Sequence, residues 1–243
     1  MAKRIRINGN VALSAFDDIV PMQTIVEINK LIDCSDADLI PIAQVASMAV
    51  GLLRQIDAFR QIEEMSCANT RAVAAQSGRT NLCAQPDIVL RCVSLANAAV
   101  SHGRHFDSHL LTLLIPLQLA PNRLCNGDLV VYKRPRLSVS TVGNMMSKLN
   151  HGAQRCMPFR LRKWLSLRDL QRGRCARVPV EVGSVYEFNG FALQHANLDV
   201  EEGQRRTLLL HYYDPGYSLG VSAMLRRWRT ASDRPGVYEP VDF

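Results

Sequence analysis

The chain has 243 residues, of which 47% are hydrophobic and 21% charged, so its composition is that of a folded globular protein and excludes global disorder. Its formal net charge of +7 favours anionic partners in general but says little about the fold. The seven cysteines are odd in number and none are spaced as CxxC, which argues against a disulfide framework or a structural zinc site and favours a reducing cytoplasm.

The N-terminal segment shows no targeting or membrane signal. Its basic start is not followed by the apolar run of a signal peptide. The longest apolar stretch, residues 39–53, contains Pro41, Gln44 and Ser47, and it is too short and too polar to cross a bilayer. We therefore expect a cytoplasmic protein without a membrane span.

The first half of the chain predicts mainly helix. Residues 1–40 have no clear periodicity, whereas apolar side chains recur every three or four positions over 42–65 and predict one long amphipathic helix. Small polar residues over 68–86 predict a loop. The segment 87–96 alternates at its start and ends in alanines, and we favour a strand over a helix.

The second half predicts strands joined by short turns. Asn126-Gly127 and Asn189-Gly190 are tight-turn signals. Strands are expected at 110–119, 128–133, 184–188, 191–195 and 206–213, with helical pieces at 144–149 and 160–170. This order predicts an α+β fold with a mainly β core, in which helices pack on a β-sandwich or barrel.

The basic charge is concentrated in one stretch. Residues 148–177 contain nine Lys and Arg but one acid, Asp169, which accounts for the whole positive excess of the chain. Such a stretch is typical of a surface that binds an acidic partner, and equally of a solvated pair of basic helices. Because its aromatic content is low, a platform that stacks single-stranded bases is not favoured.

Three residues have the chemistry of a metal site. His105 and Asp107 are two positions apart, so on an extended segment both side chains project to the same side. His195 ends the expected strand 191–195 and could supply a second imidazole. Two histidines and one carboxylate on one face of an octahedral ion leave three positions open, which suits non-haem Fe(II) enzymes.

The ordered set of motifs from His105 to Asp214 resembles the catalytic core of the 2-oxoglutarate/Fe(II) dioxygenase superfamily, in its prolyl-hydroxylase-like branch. The matching features follow one another along the chain: His105-Phe-Asp107, the apolar run 110–119, the turn at 126–129, the segment 182–190, His195, and the arginines before residues 207–214. This resemblance implies a double-stranded β-helix of the jelly-roll or cupin type, with the metal held by His105, Asp107 and His195. It also implies Fe(II), 2-oxoglutarate and O2 as metal, co-substrate and oxidant.

An arginine about ten residues after the second histidine binds the far carboxylate of 2-oxoglutarate in that superfamily. Here Arg205 lies ten residues after His195, and Thr207 shares its strand face, so the resemblance assigns co-substrate binding to this pair. A guanidinium suits the task because its planar fork pairs bidentately with a carboxylate. A one-residue shift in register would exchange Arg205 for Arg206, and both could instead face solvent.

The resemblance implies one oxygenase domain over residues 1–243. It would comprise helical support at 1–100, a β core at 101–137 and 178–215, and a basic insert at 138–177, placed at the site's mouth. The expected reaction is hydroxylation, or another oxidation of an unactivated C–H bond, in a small-molecule substrate, anionic or tethered to a carrier protein, with release of succinate and CO2. Asp107 argues against halogenation, for which related enzymes lack this carboxylate. A nucleic-acid demethylase and a non-catalytic barrel that binds an anionic partner remain alternatives.

Overall fold

The computed structural model describes residues 2–7, 10–36, 40–76, 85–96, 101–121, 127–133, 135–136 and 141–214. Within these ranges the chain forms nine strands and five helices. The strands are β1 (Lys3–Ile7), β2 (Asn10–Phe16), β3 (Asp87–Ser94), β4 (Leu111–Gln118), β5 (Leu129–Tyr132), β6 (Cys175–Val178), β7 (Val185–Phe188), β8 (His195–Asn197) and β9 (Gln204–Tyr212). The helices are α1 (Met22–Asp36), α2 (Ile42–Leu53), α3 (Asp57–Gln76), α4 (Thr141–Cys156) and α5 (Phe159–Gln171).

The strands form two antiparallel sheets. The larger sheet has the order β1-β2-β7-β4-β9-β3, and the smaller has the order β6-β5-β8. Apolar side chains from both sheets, such as Leu114, Val131 and Leu209, share one buried cluster. The two sheets therefore face each other across a common interior, and the prediction of a mainly β core with added helices is confirmed.

The helices α1 to α3 cover the outer face of the larger sheet. β4 and β9 are buried along nearly their whole length because both of their faces are covered. Leu208, Leu210 and Tyr212 of β9 pack with Phe59 of α3 in the largest apolar cluster. The alternate residues of β9, including Leu209, project into the interior between the sheets.

The N-terminal hundred residues contribute three strands as well as helices, whereas the resemblance implied helical support over 1–100 and only the strand at 87–96 was expected. The hairpin of β1 and β2 and the strand β3 extend the larger sheet at both edges. The predicted single helix over 42–65 is wrong, since α2 ends at Leu53 and α3 begins at Asp57. Turns with bonds from Gln55 N–H to Leu52 and from Ile56 N–H to Leu53 separate the two helices.

Two further predictions need correction. The loop expected over 68–86 is helical as far as Gln76. The strand expected over 191–195 is a turn up to residue 194, because the N–H groups of Ala192 and Leu193 bond back to the Asn189 carbonyl. The strands expected at 87–96, 110–119, 128–133, 184–188 and 206–213 correspond to β3, β4, β5, β7 and β9.

Some of the predictions lie outside the described residues. These include Asn126 of the first expected turn and positions 138–140 of the basic insert. Gly127, the second residue of that turn, has φ of +80°, a left-handed conformation that glycine adopts readily. Among the described helices, none is long and apolar enough to cross a membrane.

Candidate metal centre

A backbone bridge brings the two predicted ligand segments together. His105 and His195 each donate their N–H to the other's carbonyl oxygen, both at 3.0 Å. The N–H of Asp107 donates to the carbonyl of Gly190 at 3.0 Å, so the backbone is held at Asp107 as well as at His105. The extended segment at 105–107 therefore lies beside the start of β8, and the imidazole rings of His105 and His195 have their centroids 4.4 Å apart.

The three side chains converge on one point. Asp107 Oδ1 lies 3.6 Å from His105 Nε2 and 3.4 Å from His195 Nε2. Neighbouring ligands of an octahedral ion with bonds of about 2.1 Å lie about 3 Å apart, so small shifts would bring all three onto one ion. Among the described residues this trio alone has ligand atoms close enough together to hold a metal.

Hydrogen bonds orient both imidazoles for metal binding. His105 Nδ1 lies 3.0 Å from the Gly103 carbonyl, and His195 Nδ1 lies 3.0 Å from the Leu193 carbonyl. Because a carbonyl only accepts, each Nδ1 carries the hydrogen in the neutral ring, and each Nε2 keeps its lone pair facing Asp107. This arrangement fits a divalent ion held by two neutral imidazoles and one carboxylate.

The second oxygen of Asp107 is held by protein groups. Thr112 Oγ1 donates to Asp107 Oδ2 at 2.8 Å and accepts from His211 Nδ1 at 3.0 Å. Gly190 leaves the space for this carboxylate, since a Cβ added there would overlap the Asp107 side chain. Asp107 is therefore fixed on one side and presents Oδ1 to the site.

Charge and burial act strongly on these groups. Burial alone would raise the pKa of Asp107, but attraction and hydrogen bonding from His195 outweigh it and hold the pKa well below its usual value. Burial and then repulsion from His195 lower the pKa of His105 well below its usual value. Burial also opposes the charged form of His195, yet Asp107 raises its pKa overall. The carboxylate thus attracts a cation, either a proton on His195 or a metal ion.

Arg205 and Thr207 face the interior between the sheets, as does His211 at the other end of β9. Arg205 and Thr207 are each 3% exposed. Arg205 donates to the carbonyl of Gly127 and to Asn197 Oδ1, the latter at 3.1 Å. Asn197 lies two residues after His195 in β8, so the Arg205 guanidinium and the metal-binding residues share one side of the smaller sheet.

Arg206 projects to the opposite face of β9. Its guanidinium forms an ion pair of 2.6 Å with Asp33 of α1 and bonds to the carbonyl of Asn29 at 3.2 Å. The sequence alone could not decide which of the two arginines faces the interior, and the register of the sheet places them on opposite faces of β9. Arg205 lies on the side of the metal centre, and Arg206 fastens the helical layer.

The basic insert contacts the segment that contains His105. Gln154 of α4 accepts from the Arg104 N–H at 3.0 Å, and Asp169 of α5 pairs with the Arg104 side chain at 2.9 Å. The rings of His151 and His105 have their centroids 5.2 Å apart. Both helices thus lie at the edge of the metal centre.

Several basic residues of the insert are paired with acids. Lys163 contacts Asp199 at 2.6 Å and Glu201 at 2.9 Å, and Arg177 contacts Asp128 at 2.5 Å. Arg174 pairs with Asp169 within the insert at 3.3 Å. Part of the charge that the sequence attributed to a binding surface therefore fastens the insert to the β core.

Two residues of the centre were missed from the sequence because nothing marks them locally. Thr112 lies in an apolar strand, and Gly190 was interpreted only as part of a turn. His211 faces the interior as well, as its bond to Thr112 shows. Of the other histidines, His102 contacts Asp199 and His109 contacts Asp87, both away from the three ligand atoms.

Comparison with known proteins gives structural likenesses alone. No protein-family model and no curated protein matches the sequence. The 2-oxoglutarate-dependent epimerase SnoN of nogalamycin biosynthesis aligns at 12% identity with a TM-score of 0.45, over 84% of this chain and 78% of SnoN. An N-substituted L-amino acid dioxygenase from Burkholderia ambifaria, in complex with 2-oxoglutarate, aligns at 14% identity with a TM-score of 0.43. The alignment covers 88% of this chain and 98% of the dioxygenase.

A prolyl-4-hydroxylase from Pseudomonas putida aligns at 11% identity with a TM-score of 0.40, over 83% of this chain and 92% of the hydroxylase. The solved structures similar to this chain thus include several 2-oxoglutarate-dependent enzymes. At identities of 11–14% and TM-scores of 0.40–0.45, these likenesses assign no activity to this chain.

Proposed function

We propose that the protein is an Fe(II)- and 2-oxoglutarate-dependent oxygenase. The convergence of His105, Asp107 and His195 on one point carries this proposal. Two imidazoles and one carboxylate occupy one face of an ion and leave room for other ligands. Bound there, Fe(II) would supply the activation of dioxygen and the oxidation of a C–H bond, while the protein orients the reactants and excludes water.

The fold we propose for this function is a double-stranded β-helix in a single domain over residues 1–243. Two facing antiparallel sheets with an apolar interior support it. The metal-binding residues lie beside α4, where the His151 ring is 5.2 Å from the His105 ring. We expect the domain to work in a reducing cytoplasm.

For the co-substrate, we propose that Arg205 and Thr207 bind the far carboxylate of 2-oxoglutarate. A buried guanidinium gains most from a charged partner with which it makes paired hydrogen bonds. Arg205 is nearly inaccessible to water. It contacts Asn197, which lies on the same strand as His195. Two of its acceptors, the Gly127 carbonyl and the Asn197 amide oxygen, are neutral groups that a carboxylate could replace or join.

The substrate we propose is a small molecule, anionic or tethered to a carrier protein, and the reaction is hydroxylation or a related C–H oxidation. The retained carboxylate of Asp107 supports oxidation over halogenation. The helices α4 and α5 border the site and are the elements that we expect to contact the substrate.

The test is succinate formation from 2-oxoglutarate with Fe(II) and O2, together with metal-dependent binding of 2-oxoglutarate. Asp107→Ala should abolish both, because the ion loses its only anionic ligand among the three. Asp57→Ala, which removes an exposed carboxylate in the first turn of α3, is the matched control. A wild-type protein that neither binds 2-oxoglutarate nor forms succinate would refute the proposal, and an active Asp107→Ala would refute the ligand assignment.

A further inference from the structure

Thr112 is a fully buried polar residue within the apolar strand β4. The register of the larger sheet sets Thr112 opposite His211 of β9. Because paired residues of antiparallel strands project to the same side of a sheet, both side chains face the interior. Thr112 Oγ1 lies 3.0 Å from His211 Nδ1 and 2.8 Å from Asp107 Oδ2. A buried hydroxyl thus links β9 to one of the metal-binding residues.

The direction of these two hydrogen bonds follows from the donors that are present. The Thr112 hydroxyl has one hydrogen, and a carboxylate only accepts, so that hydrogen goes to Asp107. The same oxygen then accepts from His211, whose Nδ1 carries the hydrogen. His211 therefore holds the hydroxyl hydrogen on the side of Asp107.

The two oxygens of Asp107 have different surroundings. Oδ1 lies 3.6 Å from His105 Nε2 and 3.4 Å from His195 Nε2, where the three ligand atoms converge. Oδ2 lies against the Thr112 hydroxyl and 3.8 Å from His211 Nδ1. A carboxylate can bind a cation through one oxygen or through both. Attachment through both would turn the Asp107 side chain and break the Thr112 bond, which is costly for a buried hydroxyl.

The number of oxygens that Asp107 contributes decides how many positions of an octahedral ion stay open. One oxygen and two imidazoles leave three positions, whereas a second oxygen would take one of these. 2-Oxoglutarate chelates a metal through its keto oxygen and the adjacent carboxylate, and dioxygen needs a further position. The proposed reaction therefore requires that Asp107 use a single oxygen.

We infer that Thr112 is a positioning residue that restricts Asp107 to attachment through one oxygen, and that His211 supports Thr112 in this role. The inference rests on the proposed function, since the position kept open matters for a co-substrate that binds there. A residue that only filled space at position 112 would not affect how many carboxylate oxygens bind the ion.

Infrared spectroscopy of the Ni(II)-loaded protein tests the restriction directly. The separation between the antisymmetric and symmetric carboxylate stretches narrows when a carboxylate chelates an ion, and isotopic labelling of aspartate identifies the bands that change on metal binding. Thr112→Val, which keeps the shape of the side chain without the hydroxyl, should narrow this separation. Thr112→Ser, which retains a hydroxyl, should keep the wild-type value. Thr24→Val, at a half-buried threonine of α1, is the control.

Calorimetric titration tests the consequence for the co-substrate. Thr112→Val should weaken the binding of 2-oxoglutarate to the Ni(II)-loaded protein by roughly tenfold or more, the usual effect of removing a residue that orients a metal ligand. Thr112→Ser should bind 2-oxoglutarate as the wild type does. Thr112→Cys, whose thiol is a weak donor, should change both measurements in the same direction as valine and serves if Thr112→Val does not fold.

The inference would be overturned by a Thr112→Val protein whose carboxylate bands match those of the wild type, or by one that binds 2-oxoglutarate as tightly. A narrowed separation in the valine variant that serine does not show supports it. A wild-type protein that binds Ni(II) but not 2-oxoglutarate refutes the proposed function instead. The infrared comparison needs only the metal, so it still decides the role of Thr112 in that case.

Discussion

At the scale of single residues, we expect substitutions of the two adjacent arginines of β9 to have different effects on 2-oxoglutarate binding. Arg205→Ala should raise the 2-oxoglutarate concentration needed for half-maximal binding by roughly tenfold or more, because a charge-assisted contact is lost. Arg206→Ala should have little effect on that concentration, since Arg206 contacts Asp33 and Asn29 of α1. Calorimetric titration of both variants decides between them. The reverse order would mean that the co-substrate lies on the other face of the strand.

Gly190 makes a second residue-level prediction. Gly190→Ala should weaken metal binding by about tenfold or more, because the new Cβ would displace the Asp107 carboxylate from its position. Gly51→Ala is the matched control, since a Cβ added there would meet no atom within 4 Å apart from its chain neighbours and the backbone of its own helix. In the interior of α2 it should leave metal binding unchanged and stabilise the fold by about 0.5–1 kcal/mol. Titration with Ni(II) and urea unfolding measure the two effects, and unaltered metal affinity in Gly190→Ala would contradict the assigned packing.

The sequence predicted the ligand trio but not its supports, for a physical reason. His105 and Asp107 are related by the two-residue repeat of an extended segment, which is visible in the sequence. Thr112 and Gly190 reach Asp107 through strand pairing between β4 and β7, where Thr112 lies opposite Phe188. Such contacts depend on register between distant segments, and no local pattern encodes them.

At the scale of elements, the errors also have identifiable causes. The spacing of apolar residues continues through the break between α2 and α3, so periodicity alone showed no end. The C-terminal half of α3 is mostly exposed, with Ala74 as its buried residue, and its polar character suggested a loop. The strands β1 and β2 lie at one edge of the larger sheet, and β1 is mostly exposed, so little apolar alternation marked it.

The attachment of α5 to the β core gives an element-level prediction. Lys163 contacts Asp199 and Glu201 in the segment between β8 and β9. Lys163→Met should increase hydrogen exchange of the α5 amides, whereas the free energy of global unfolding should change by no more than about 1 kcal/mol. Lys30→Met, an exposed lysine of α1, is the control. Unchanged exchange in α5 would show that the apolar and Asp169 contacts suffice to hold it.

At the scale of the whole molecule, the helical layer and the larger sheet are joined by partly buried polar contacts as well as by apolar packing. Arg54, at the end of α2, forms hydrogen bonds to both carboxylate oxygens of Glu63 in α3, at distances from 2.7 to 3.1 Å. Glu63 also accepts from the Tyr212 hydroxyl of β9. Such a network ties the break between the helices to the centre of the larger sheet, and it couples helix positions to strand register.

Asp199 gives a prediction for the stability of the whole molecule against pH. Burial opposes its charge, but hydrogen bonds from His102 and Lys163 outweigh burial and lower its pKa below the usual value. A carboxylate with a depressed folded-state pKa stabilises the protein above its unfolded-state pKa of about 3.9, and this contribution is lost as pH falls through the lower folded-state value. Asp199→Asn should therefore be less stable than the wild type at pH 7, by roughly 1–3 kcal/mol. The difference should shrink steadily below about pH 4, because acid removes the same charge from the wild type. Urea unfolding at several pH values measures it, with the exposed Asp17→Asn as control. A difference that stays constant from neutral to acidic pH would mean that the charge of Asp199 is not what stabilises this contact.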